Sequence, residues 1–169
     1  MRFWLALTIL VLVAMVIGGV YATSSVFSSD GKSSAVAVEA VLDDFHDAAS
    51  KADGRRYFAH FTEDAVFLGT DASERWTYQE FRLYAEKQFS MGKGWTYMPQ
   101  TRNVAVSPHG DIAWFDEILE NAKYGVCRGT GVLHRVGGVW KVVQYNLTVP
   151  IPNNLLGKVV EMIQVASHR

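Results

Sequence analysis

The chain has 169 residues and a formal net charge of −1, a size that suits one domain with one appendage. Near-neutral charge excludes the basic footprint of a nucleic-acid reader and a polybasic patch for anionic lipid. Cys127 is the single cysteine, so an internal disulfide and a cysteine-based metal cluster are excluded too, and a small buried hydrophobe is its expected role.

Residues 1–22 read as a targeting segment. Arg2 supplies a positive start, and Phe3 to Val20 is apolar apart from Thr8, Gly18 and Gly19. Such a run is costly to leave in water and easy to place in lipid. Its length lies between a signal-peptide core and a spanning helix. Val20 and Ala22 permit cleavage after Ala22, which makes the segment a signal peptide; uncleaved, the same residues form a hydrophobic transmembrane helix with Arg2 in the cytoplasm. Both alternatives put the domain on the extracytoplasmic (periplasmic) side, either membrane-anchored or secreted. Residues 23–34 (TSSVFSSDGKSS) have little to bury and read as a flexible linker. The folded domain is expected over 35–169.

Ala35 to Ala52 is an amphipathic helix by spacing, with Val38, Val41, Leu42, Phe45 and Ala49 on one face. Asp53-Gly54 breaks it, and Arg55 to Phe61 is a short helical piece. Ala65 to Gly69 reads as a brief buried strand. Thr77 and Glu80 form a capping box that starts a helix to about Ser90. Beyond Gly92 the period changes: Trp95–Val106, Ile112–Asn121, Tyr124–Val136 and Val139–Val149 are strand-like runs rich in Val, Trp, Tyr and Thr. Their short connections suit antiparallel hairpins. Pro150 and Pro152 stop the sheet, and Asn153 to Ala166 is a terminal helix with Leu156, Val159, Val160 and Ile163 on one side. The fold class is therefore α+β, with helices packed on one face of a curved antiparallel sheet.

This order of elements resembles the nuclear transport factor 2-like superfamily, and in particular its SnoaL-like branch. Phe58 to Leu68 (FAHFTEDAVFL) is similar to the branch's helix-to-strand entry, and Gly69 to Trp76 to the loop before its third helix. Gly138 to Tyr145 (GVWKVVQY) looks like its last strand, which usually begins Gly-x-Trp. The likeness covers about Ala35 to Pro152. It implies a cone-shaped fold with a pocket at its open end, in a superfamily that mixes isomerase-like and dehydratase-like enzymes with members that only bind a ligand or dimerise. Fold analogy assigns no chemistry by itself. The chain also departs from the enzymes: it shows neither the isomerase Tyr and Asp pair nor a His-Asp pair at dehydratase spacing, and Gln144 and Asn146 stand where many relatives carry histidines.

Asp71, Glu74 and Arg75 crowd one loop, where two carboxylates beside a guanidinium can tune an acid or base, or simply satisfy the loop and pair with each other. Asp116 and Glu117 must point to opposite sheet faces. The one on the concave side needs a partner, and Arg128 on the next strand is expected to supply it, as catalytic pair or structural salt bridge. Gly129 and Gly131 beside it allow a close backbone approach. Trp95 is expected either in the core or as an aromatic wall for a flat ligand. Gln144, Asn146 and Thr148 share one face of the last strand, lining either the pocket or the hydrated outer face. His46, His60, His109, His134 and His168 lack metal-ligand spacing, and surface or structural roles are expected for all of them. No metal and no cofactor is expected.

Two functions follow. In the first, the cone holds a small apolar molecule and one carboxylate serves a cofactor-free proton transfer. In the second, the domain is a non-catalytic association module that forms a homodimer through the outer sheet face, with the apolar terminal helix covering the cone mouth or packing on a partner.

Overall fold

The computed structural model describes residues 31–167. The expected signal peptide or transmembrane segment and most of the linker lie outside the described residues; residues 31–34, the linker's end, already belong to the first helix. Helix α1 runs over 31–50. It buries Val38, Leu42, Phe45, Ala48 and Ala49, the apolar stripe that 3.6-residue periodicity demands. Ala52, at φ 53, turns the chain out of the helix. Asp53 then caps α2 (Gly54–Phe58) by accepting from the amide of Arg56.

Strand β1 (Phe61–Leu68) begins earlier than its apolar core suggests, because exposed Glu63 and Asp64 continue it at the surface. Strand β2 (Arg75–Thr77) folds back on it and leads into α3 (Tyr78–Phe89). The capping box is present: the Thr77 hydroxyl accepts from the Glu80 amide, and the Glu80 carboxylate accepts from the Thr77 amide at 2.9 Å. Four long strands follow: β3 (Met98–Val106), β4 (Ile112–Asn121), β5 (Gly125–Val136) and β6 (Val139–Thr148).

The sheet has six strands in the order β2-β1-β6-β5-β4-β3. It is mixed rather than wholly antiparallel, since β1 runs parallel to β6, pairing Phe67 with Tyr145. Two strands so far apart in sequence need no hairpin, since α3 and strands β2 to β5 lie between them in the chain. Helices α1, α2 and α3 cover one sheet face. Between the two layers lies an aromatic core that includes Phe45, Tyr57, Phe58, Phe61, Phe81 and Tyr145.

An ion network fastens α1 to α2. Asp44 accepts from Arg56 and from His60 Nε2 at 2.7 Å. The hydrogen bond from Arg56, with help from His60, holds the Asp44 carboxyl below its usual range. Burial in turn pushes the His60 imidazole down, with Asp44 opposing it.

Helix α4 (Leu156–Ser167) does not cover the cone mouth. It buries no residue and supplies none to the cavity described next.

Candidate functional site

Between the helices and the concave sheet face lies a cavity of about 550 Å³, within the range of about 300–1,000 Å³ usual for small-molecule sites. Its walls are largely aromatic: Phe45, Phe67, Trp76, Trp95, Tyr97 and Tyr145 all contribute. The loops at its mouth supply Thr70, Glu74 and Lys123. His46 and Tyr145 bring polar atoms to the inner wall, and Glu117 lies directly behind them.

Strand alternation puts Glu117 there. On β4, Ala113, Phe115, Glu117 and Leu119 face inward and are buried, Glu117 completely. A lone buried carboxylate is expensive, and this one has three partners. Oε1 lies 2.7 Å from His46 Nε2 and accepts from the Tyr145 hydroxyl at 3.1 Å. Oε2 accepts from Arg102 Nε at 2.9 Å. Arg102 Nη1 then donates to Asp43 at 2.7 Å and to the Glu39 carbonyl at 3.3 Å. A continuous polar chain therefore runs from the surface carboxylate of Asp43 through Arg102 and Glu117 to His46 at the cavity wall.

Burial alone would raise the Glu117 carboxyl, but the hydrogen bond from His46 and the Arg102 guanidinium hold it below its usual range. An ionised carboxylate only accepts, so the contact assigns a proton to His46 Nε2. Burial, reinforced by the Glu117 charge, pushes the Tyr145 hydroxyl well above the ordinary phenol range, so it stays a donor.

Gly129 on β5 makes room for this cluster. It pairs with Glu117 on one side and Leu147 on the other. A methyl group at Gly129 would sit 2.8 Å from Glu117 Oε1 and closer still to the Tyr145 hydroxyl. The close approach expected of this glycine is that of two side chains crossing its face.

The structure sorts the expected site residues into three groups. Glu117, Trp95 and Glu74 belong to the cavity or its support. Trp95 packs 4.5 Å from the Phe89 ring and 5.7 Å from that of Tyr57, while Glu74 lines the mouth and accepts from the Asp71 amide at 3.2 Å. Asp71 and Arg75 stay in the loop chemistry. Asp71 is exposed and accepts from the Ser73 amide at 2.8 Å; Arg75 is exposed on β2 and forms no ion pair with Glu74.

Asp116, Arg128 and Gln144 lie on the outer sheet face, all exposed. The expected pairing of Arg128 with Glu117 is corrected: Arg128 stands opposite Ile118, one position out of register, so alternation turns it away from the cone. Asp116 instead accepts from Asn103 at 3.0 Å. Gln144 also points outward, while Tyr145 and Leu147 of the same strand face in.

The partner of Glu117 is Arg102, directly opposite it on β3. His46, for which a surface or structural role is expected, is 7% exposed, bonded to Glu117 and set in the cavity wall. Its position four residues after Leu42, on the buried stripe of α1, was the signal for it. Among the described residues, no group of three or more His, Cys, Asp or Glu side chains is placed to hold a metal ion.

Comparison with known proteins gives the same architecture. A solved NTF2-like protein of unknown function from Pseudomonas putida KT2440 aligns over 72% of this chain and 90% of its own, with a TM-score of 0.62 at 15% identity. A proposed dehydratase of the NTF2-like family from Streptomyces avermitilis covers 72% of this chain and 99% of its own, with a TM-score of 0.61 at 12% identity. A protein from Xanthomonas campestris, named as a proposed calcium/calmodulin dependent protein kinase II association domain, covers 69% and 86%, with a TM-score of 0.52 at 18% identity. At these identities the likeness is one of fold. No curated protein matches the sequence significantly. The model of the SnoaL-like domain family matches residues 38–152, which run from within α1 past the end of the sheet and include every member of the buried cluster. The chain belongs to the SnoaL-like domain family, within the nuclear transport factor 2-like superfamily.

Proposed function

We propose that the cone binds a small, flat, apolar molecule and that His46, oriented by Glu117, moves a proton on it without a cofactor. The observation that carries this reading is the aromatic cavity of about 550 Å³ with His46 in its wall and an ionised carboxylate behind the imidazole. A carboxylate on one ring nitrogen fixes the tautomer and steadies the imidazolium that forms when the other nitrogen takes a proton, as in other carboxylate–histidine pairs. Aromatic walls exclude water and favour a planar ligand. A dehydratase name on one structural neighbour fits proton-transfer chemistry.

The test is titration with 2-tetralone, a flat ketone with acidic α-hydrogens. Binding raises the melting temperature by mass action, and catalysis speeds deuterium uptake at the α-carbon. His46→Gln is expected to leave binding within a few-fold and to lower the exchange rate by roughly 10²-fold or more, the usual weight of a general base. Absence of any thermal shift with flat aromatic ketones and phenols at millimolar concentration sinks the reading.

A second reading, a non-catalytic homodimer or association module, is favoured by the outer sheet face, where Trp114 and Val126 are 50% and 55% exposed; one structural neighbour is named as an association domain. For location, the apolar run Phe3–Val20 supports a domain delivered to the extracytoplasmic side of a bilayer and held beside it when the segment is not cleaved.

A further inference from the structure

Helix α4 buries none of its residues. Laid out at about 100° per residue, Leu155, Leu156, Val159, Val160, Met162, Ile163 and Ala166 occupy an arc of about 160°. Lys158, Glu161 and Gln164 lie on the other side, with Gly157 and Val165 among them. Most of the apolar arc is open, with Met162 71% exposed and Ile163 57%, and only Val159 is half-buried. The lead-in is apolar as well, since Val149, Ile151 and Leu155 are each more than 40% exposed, and Pro150 and Pro152 turn the chain off the sheet. A continuous apolar surface of this kind marks an interaction site.

We propose that α4 is an interfacial helix that lies on a lipid bilayer, with its apolar arc in the acyl boundary and Lys158, Glu161 and Gln164 toward water. The proposal rests on the bilayer placement given above, because the 30 residues preceding the described structure contain the 18-residue apolar run Phe3–Val20. That run, uncleaved, holds the domain within a short linker of a membrane. At about 1.5 Å per residue, α4 is about 18 Å long, too short for a hydrocarbon core of about 30 Å, and among the described residues no helix is long and apolar enough to cross a membrane. An amphipathic helix of this length lies in the interface instead. With so few cations, α4 binds through apolar area and does not require anionic lipid.

The test uses the full chain in phosphatidylcholine vesicles. Flotation comes first; then nitroxides are placed singly at Lys158→Cys, Val159→Cys, Glu161→Cys and Ile163→Cys in a Cys127→Ala background, and their collisions with oxygen and with a nickel chelate are compared. These α4 substitutions touch nothing in the core, so folding is not at stake in them. The expected result is helical alternation, with positions 159 and 163 open to oxygen and shielded from nickel and positions 158 and 161 the reverse. Nickel access at all four positions in a chain that floats overturns the proposal and leaves the anchored placement standing. Shielding from both reagents also overturns it, because α4 is then buried against protein. A chain that does not float removes the placement and the proposal together.

Discussion

Glu117 Oε1 lies 2.7 Å from His46 Nε2, although 71 positions separate the two residues in sequence. The contact joins β4, the strand next to the sheet's β3 edge, to helix α1. Because Glu117 is fully buried, its partners are part of the fold's stability as well as its chemistry.

Arg102 and Arg128 therefore differ sharply in weight. Arg102→Ala leaves the Glu117 carboxylate with His46 and Tyr145 alone and is expected to cost about 3–5 kcal/mol. Arg128→Ala, on the exposed outer face, is expected to stay within about 0.5 kcal/mol. Urea midpoints of the two variants decide the matter, and equal losses would contradict the register.

Gly129→Ala is expected to cost about 1–3 kcal/mol through overpacking, since the added methyl meets Glu117 Oε1 at 2.8 Å. The loss comes from displaced side chains and not from backbone strain. Pairing Gly129→Ala with Tyr145→Phe tests this: removing the hydroxyl relieves part of the clash, so the two costs are less than additive.

Acid is expected to unfold the protein in two steps. Burial sets the folded His60 pKa below its ordinary value, so the unfolded chain takes up the proton first. Stability is then unaffected above about pH 6.5 and falls as pH drops below it. Glu117 and Asp44 also have depressed folded values. Their contribution is complete above the ordinary carboxylate range and lost as pH falls through the folded values. His60→Gln should remove the upper step and leave the lower one, as read from urea midpoints at about pH 7, 5.5 and 4.

Much of the fold was legible because its signals are local. The Thr77 capping box and the ends of β4 fall where sequence periodicity sets them. The misses have physical causes. Three residues, Arg75–Thr77, are too few to show a period, and the parallel union of β1 with β6 leaves no trace in either strand alone. Arg102 was within reach, since the β3–β4 hairpin that pairs Val106 with Ala113 also pairs Arg102 with Glu117. Arg128 is the cation that the next strand offers, but alternation sends it outward. Metal-ligand spacing is silent on His46, whereas its place on the buried stripe of α1 points to it.

The parallel union of β1 and β6 also orders assembly in time. Strands β3 to β6 can form by successive short-range pairings, but β1 and its dependent β2 have no place in the sheet until β6, the last strand made, is available. Phe61 meets Val142 only by closing a loop of some eighty residues, an entropic cost that slows folding. A nascent chain released before β6 would hold a hairpin meander and a separate helical hook, with Glu117 present and Tyr145 absent. The cavity comes into being at the final pairing, so the ability to take up a ligand reports the completed molecule and no earlier stage.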